Sequence, residues 1–222
     1  MADEDPRTND LVERLAHVDT TSLADAGPDL RVLPPGLVPL RPGSRVAGPA
    51  VVVDSQDDLL PVLVGLRSAG PGDVLVVTGT PGLALAGELF ATEALRRGLA
   101  GIVIDGLCRD SRTLRTLALP FFARGVSPRA YGARVVPEPA GTVRVDGVEI
   151  ATGDLVVADD DGVVIGSVDE VAAAIEAAEA VQRREEALRA AIEGGESIFH
   201  HLNLDEHLQA LREGRASRLT FS

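Results

Sequence analysis

The residue types best suited to chemistry stand side by side in this chain. Arg109 and Asp110 follow the run Ala100-Gly101-Ile102-Val103-Ile104-Asp105-Gly106-Leu107-Cys108. Gly101 to Asp105 reads as a buried strand and Gly106 as a turn, so the Arg–Asp pair falls where the chain leaves a sheet. Strand ends fix a side chain while leaving it reachable, which is why α/β proteins place their chemistry there. A guanidinium beside a carboxylate can hold an oxyanion and a divalent cation together, although the same pair can also serve as a structural ion pair. A second acid, Glu88, stands in the first turn of a helix, where free backbone N–H groups favour a carboxylate or phosphate and where an acid also opposes the helix dipole.

The composition narrows the chemistry further. The chain has 222 residues, 45% of them hydrophobic and only 3% aromatic, which suits one globular domain with a core of Val, Leu, Ile and Ala. Its formal net charge of −13 repels phosphate backbones, so nucleic acid is not an expected partner. One Cys excludes an internal disulfide and a Cys-based zinc site. All 21 basic residues are Arg. Without Lys there can be no Schiff-base aldolase, no lysine-bound pyridoxal phosphate and no Gly-Lys-Ser phosphate loop. A carbonyl substrate would have to be polarised by a metal or by Arg. No secretory h-region or apolar run of membrane-spanning length is present, and the expectation is a cytoplasmic protein without membrane contact.

The elements that must position these residues follow from periodicity. Asn9 to Ala16 reads as a helix, and Thr20-Thr21-Ser22 as the cap of a second one ending near Gly27. Leu30 to Gly43 reads as an extended connector, Arg45 to Asp54 as a strand, and Asp57 to Ala69 as a helix with Pro61 in its first turn. A strand from Val74, the loop Gly79-Thr80-Pro81-Gly82, a helix beginning at Ala84 to Glu88 and ending at Arg97, and the strand up to Asp105 form a βαβ crossover. Downstream come a short helix (Ser111 to Leu117) and a strand (Pro120 to Ala123), then a hairpin with an Asp146-Gly147 turn. Two strands joined at Asp159-Asp160-Asp161-Gly162 follow, then a long helix (Val168 to Ile192) and a last helix (Ile198 to Leu211). This is an α/β protein with a mixed sheet. The crevice outside the parallel strands then gathers helix amides, Glu88, Arg109 and Asp110, a set suited to a 2-oxo acid chelated to Mg²⁺ or Mn²⁺. Such a site would stabilise a pyruvate enolate.

A longer set of motifs accompanies these residues: Gly72-Asp73-Val74-Leu75-Val76-Val77, Gly87-Glu88-Leu89, Gly101-Ile102-Val103-Ile104-Asp105-Gly106 with Arg109-Asp110, Pro120-Phe121-Phe122-Ala123-Arg124-Gly125, and Gly153-Asp154-Leu155-Val156-Val157-Ala158-Asp159 with Asp161-Gly162-Val163-Val164. The set resembles the family shared by the 4-hydroxy-4-methyl-2-oxoglutarate aldolases and the regulator of ribonuclease activity A, over about Thr20 to Ile192. The resemblance implies a swivelling β/β/α-type single domain with a mixed sheet over residues 1–193 and a C-terminal helical extension over 194–222. It also implies a homotrimer or homohexamer with active sites between subunits. It implies a divalent-metal aldolase that also decarboxylates oxaloacetate. Asp110 would bind the metal, partly through waters, and Arg109 would contact the keto or enolate oxygen. Glu88 would orient metal waters, and the amides around Gly87, Glu88, Leu89 and Phe90 would hold the substrate carboxylate. From a neighbouring subunit, Glu185 fits best as the glutamate that reaches the site, with Glu186 second. The aldolase pattern has an acid where this chain has Thr113, which leaves open a different metal-dependent lyase reaction. A reading of another class is a non-catalytic protein-binding regulator acting through its acidic surface.

Other residues invite plainer roles. Cys108 reads as a packing residue, and His200, His201 and His207 as surface histidines. Asp159-Asp160-Asp161 reads as a solvated turn. Arg124 and Arg129 could pair at the surface or meet the distal end of an anionic substrate.

Overall fold

The computed structural model describes residues 5–80, 82–137 and 140–221. The chain divides into two compact units, Met1–Ala178 and Glu179–Ser222. Helices α1 (Pro6–Leu15) and α2 (Thr20–Ala26) precede two short strands, β1 (Arg31–Val32) and β2 (Val38–Pro39). Strand β3 (Val46–Asp54), helix α3 (Leu59–Ser68) and strand β4 (Val74–Thr78) form one crossover. A second runs through β5 (Ala84–Ala86), α4 (Glu88–Arg97) and β6 (Gly101–Cys108), and leads to α5 (Ser111–Leu114) and β7 (Phe121–Val126). The hairpin β8 (Thr142–Val145) and β9 (Val148–Ala151) and the pair β10 (Leu155–Asp159) and β11 (Gly162–Gly166) lead into α6 (Val168–Glu193) and α7 (Leu204–Arg212).

The sheet runs in the order β1-β11-β10-β3-β4-β6-β7-β2, with β5 added beside β6. Its centre, β3-β4-β6-β7, is parallel, and its flanks are antiparallel. This is the mixed α/β architecture that the periodicity predicts. Parallel strands covered on both faces should be apolar throughout, and Val74 to Val77 and Ile102 to Ile104 are all buried. Alternate residues serve two cores. Val53, Leu75, Val77, Ile102 and Ile104 pack with residues of α3 and α4. Val52, Val74, Val76 and Val103 face the hairpin through Val143, Val145 and Ile150. A third core joins β10 and β11 to α1, α2 and the first turns of α6.

Local chemistry explains most boundaries. Asp5, Asp19 and Asp58 cap α1, α2 and α3, each accepting from a backbone N–H of the first turn. Asp19, rather than the Thr20-Thr21-Ser22 run, is thus the cap of α2. Gly98 ends α4 in the left-handed region at φ 78°, and Asp146-Gly147 make the hairpin turn at φ 47° and 88°.

Three further expectations are corrected. Ala84 to Ala86 is a strand rather than the start of a helix, because it pairs with β6 at Leu107 and Cys108. Gly106 is no turn: β6 runs on to Cys108, and the absent side chain makes room for Leu85, whose Cδ1 would lie 3.1 Å from a Cβ there. The last helix is split into a 3₁₀ turn, Ile198–His201, and α7. Within the second unit, the Asn203 side chain bonds Arg218 O and Thr220 N, tying the terminal segment to the start of α7.

Candidate functional site

The extra length of β6 carries Arg109 and Asp110 past the sheet to the N-terminus of α4. Arg109 N donates to Ala86 O at 2.9 Å, so the end of β6 is stitched to β5. Asp110 then adopts the left-handed region, φ 57° and ψ 35°, which Asp tolerates better than most residues. Its carbonyl accepts from Thr113 N and Leu114 N to start α5. Its side chain does not cap α5; it reaches across, and Oδ2 accepts from Glu88 N at 3.2 Å. One of the orphan N–H groups of α4 is thereby satisfied, and by helix geometry those of Leu89 and Phe90 lack an intrahelical partner.

The guanidinium completes the arrangement, with Arg109 Nε 3.5 Å from Asp110 Oδ2. The two side chains are 44% and 36% exposed, so they are placed by the backbone yet open to solvent. Both lie directly over Gly87. A Cβ there would stand 2.4 Å from Asp110 Oδ2 and 2.9 Å from Arg109 Cγ. Gly87 itself is extended, at φ −156°, so its glycine is required by space and not by backbone conformation.

A cavity of about 40 Å³ opens here, lined by Leu59, Ala86, Gly87, Leu89, Phe90, Arg109, Asp110 and Ala130. The structure thus brings together Gly87, Leu89, Phe90, Arg109 and Asp110, with Glu88 joined through its amide. Glu88 is half-buried in the first turn of α4. Leu59, Ala86 and Ala130 escape the sequence reading. Leu59 falls at the start of the helix read from Asp57 to Ala69, as the structure has it, but nothing in the sequence directs it, Ala86 or Ala130 to the site. Glu185 and Glu186 are exposed on α6, in the second unit.

Other candidates fall away from chemistry. Arg124 is held by Asp105, by Asp146 at 2.5 Å and by Pro35 O at 3.2 Å, the ion-pairing role rather than one at the candidate site. Although burial works against its charged form, these two carboxylates hold its pKa above the ordinary Arg value. Cys108 is fully buried, its thiol against Gly125 O, and burial pushes it up to about 11. His201 pairs with Glu196 and His207 with Ser217. Among the described residues, no three His, Cys, Asp or Glu converge as a metal cage. Asp159 accepts from Thr20 and Asp160 from Gly43, so this acidic turn pins the chain.

The donor set nevertheless suits one kind of cation. Mg²⁺ and Mn²⁺ take hard oxygen ligands, and Mg²⁺ usually keeps several waters and binds through one or two carboxylates. The half-exposed carboxylate of Asp110 is a donor of that kind, whereas zinc sites gather three or four protein ligands rich in His and Cys.

The architecture is that of an α/β protein with a mixed sheet and a candidate site where a parallel strand ends, and comparison with known proteins gives its family. The family model described as "RraA-like: Aldolase/RraA" matches residues 10–165, and the chain belongs to that family. A Halalkalibacterium halodurans protein named "Putative 4-hydroxy-4-methyl-2-oxoglutarate aldolase" is 35% identical over 159 residues, 70% of this chain and 76% of the relative. A Burkholderia multivorans protein of the same name is 38% identical over 67% of this chain and 95% of its own. The crystal structure of Streptomyces coelicolor RraAS2, described as "an unusual member of the RNase ES inhibitor RraA protein family", superposes with a TM-score of 0.71 at 30% identity, over 82% of this chain and 98% of its own. Among the described residues no helix is long and apolar enough to cross a membrane.

Proposed function

We propose that this chain is a lyase that cleaves a 4-hydroxy-2-oxo acid to pyruvate and decarboxylates oxaloacetate, with Mg²⁺ or Mn²⁺ held by Asp110, partly through waters oriented by Glu88. The observation that carries this reading is the placement of Arg109 and Asp110 over Gly87 at the amide-rich start of α4. The names of the relatives support it.

When bound, the cation supplies Lewis-acid polarisation of the keto acid. The chain's own residues do the rest. The free N–H groups at the start of α4 bind the substrate carboxylate. Arg109 donates to the oxygen on which negative charge gathers as the carbon–carbon bond breaks, and electrostatic stabilisation of this kind is usually the largest catalytic term. Asp110 keeps the guanidinium oriented and its charge balanced. Leu59, Phe90 and Ala130 wall the cavity and limit water. Glu185 of the partner subunit takes the proton of the substrate hydroxyl in a trimer or hexamer. Leu89, 72% exposed beside the cavity, is an apolar side chain that such a neighbour would cover.

The test is pyruvate release from oxaloacetate. Release should require Mg²⁺ or Mn²⁺, stop with EDTA, and fall by most of its value in Arg109→Ala and in Asp110→Asn, with both variants folded. Near-wild-type release by either variant would sink the assignment. The likeness to RraAS2 and the net charge of −13 favour a second reading, a protein-binding regulator. Absence of metal-dependent release, together with a stable complex with a protein partner, would decide for it.

A further inference from the structure

The strand that delivers Gly87 is only three residues long and is held from outside as well as by β6. Ala84 N donates to Arg129 O at 2.7 Å, and Tyr131 N to Ala84 O at 3.1 Å. Before it, Gly79 and Gly82 are each met by a side chain. Leu85, fully buried, fills the space over Gly79, where a Cβ would lie 2.3 Å from its Cδ1. The Tyr131 hydroxyl lies on Gly82, 2.9 Å from where a Cβ would stand.

The remaining contact comes from the turn after β3. Gln56 and Asp57 both sit in the left-handed region, at φ 49° and 55°. Two consecutive non-glycine residues there are costly and persist only where their surroundings impose them. Here the Asp57 carboxylate accepts from Thr80 N at 2.9 Å and from Thr80 Oγ1 at 2.5 Å. The Thr80 hydroxyl lies 3.5 Å from that of Tyr131. The donation from Thr80 holds the Asp57 carboxyl below the usual carboxylate range. The next two residues clasp the other wall. Asp58, buried, accepts from Leu60 N and Arg134 N, and Leu59 N donates to Gly132 O. The Leu59 side chain lines the cavity of the candidate site.

We propose that Asp57 is a positioning residue for the Gly87 site: by holding Thr80 through two hydrogen bonds, it sets the loop that carries β5 and the start of α4 to the place where the N–H groups of α4 meet the substrate carboxylate. This rests on the reading of the site given above. Asp57 touches neither substrate nor metal. It acts through Thr80, β5 and Gly87, and the strained turn is the means by which its carboxylate reaches the loop.

The variants separate this role from folding. Asp57→Asn keeps the left-handed conformation, which Asn tolerates, and nearly the same size, but offers one acceptor oxygen in place of two. Thr80→Val removes only the hydroxyl donor, and Thr80→Ser restores it. In the full-length chain with Mg²⁺, Asp57→Asn and Thr80→Val should speed backbone amide exchange about tenfold at Ala84 and Glu88, leaving β6 and the last turns of α4 unchanged. KM for oxaloacetate should rise about tenfold, with kcat changed by less than about threefold, because binding of the carboxylate is what loosens. Thr80→Ser should behave as wild type in both measurements. Uniform acceleration of exchange across the first unit, unchanged exchange at Ala84 and Glu88, or a Thr80→Ser variant as impaired as Thr80→Val would overturn the proposal. If wild type releases no pyruvate, the lyase reading fails, and the exchange measurements alone still decide whether Asp57 sets this loop.

Discussion

Replacing Gly87 by Ala is a direct physical test of the site, because the backbone there offers no reason for a glycine. At φ −156° alanine is unstrained and even gains a few tenths of a kcal/mol from a less free unfolded chain. The added methyl, however, lands 2.4 Å from Asp110 Oδ2, a full ångström short of the 3.4 Å where ordinary contact begins. The carboxylate must move, and in moving it loses the 3.2 Å hydrogen bond from Glu88 N, worth about 1.5–3 kcal/mol for a charged acceptor in a dry setting. Asp110 is 36% exposed and Arg109 44%, so water replaces much of that loss. The net change in stability should stay within about 1 kcal/mol, since the two effects oppose each other. Catalysis has no such relief. Displacing the pair by about 1 Å should cost roughly 100-fold in kcat/KM, or about 2.7 kcal/mol of barrier. Thermal unfolding and pyruvate release from oxaloacetate, measured on the same preparation, separate the two. A Gly87→Ala variant that keeps its melting temperature and also keeps activity within about threefold would show that the pair over Gly87 is not where the reaction occurs.

Two further outcomes concern the frame around the site. Arg124→Ala leaves Asp105, 12% exposed, without its cation; this should cost about 3 kcal/mol and lower the melting temperature by roughly 6–12 °C, whereas a drop under about 2 °C would mean that the clasp contributes little. Cys108 ionises near 9.0 in the unfolded chain and at about 11 when buried, so its contribution is complete below pH 9 and is lost as pH rises through 11. Between about pH 8 and about pH 10.5 the unfolding free energy from urea titrations should therefore fall by roughly 2 kcal/mol more in wild type than in Cys108→Ala, and equal falls would refute the burial argument.

The legibility of the fold follows from where local and tertiary forces agree. Val74 to Val77 and Ile102 to Ile104 are uninterrupted apolar runs, and they are central strands. Ala84-Leu85-Ala86 has the composition of a helix, yet it is a strand, because its pairing with Leu107, Cys108 and Ala130 outweighs intrinsic propensity. Gly106 has the look of a turn, but its meaning is set by Leu85, 21 positions earlier, and no local pattern reveals that. Of the site, Arg109 and Asp110 were readable as a strand end, and Glu88 with Gly87 as a helix start. Their meeting depends on the left-handed Asp110, which sends the carboxylate to α4 instead of α5. Leu59 and Ala130 reach the cavity through long-range packing that leaves no trace in spacing. The hold of Asp57 on Thr80 is equally invisible, since nothing in Asp-Asp or Gly-Thr-Pro-Gly says which carboxylate faces which hydroxyl.

The pieces that meet over Gly87 all lie between positions 87 and 110, joined by a single crossover. Inheritance can therefore treat them as one cassette. Exchange of that short stretch with a relative would carry glycine, helix start, guanidinium and carboxylate together, while the walls contributed by Leu59 and Ala130 come from outside it. Divergence within such a lineage can thus reshape the cavity by altering those two walls, with the Arg109–Asp110 pair and its glycine transmitted intact.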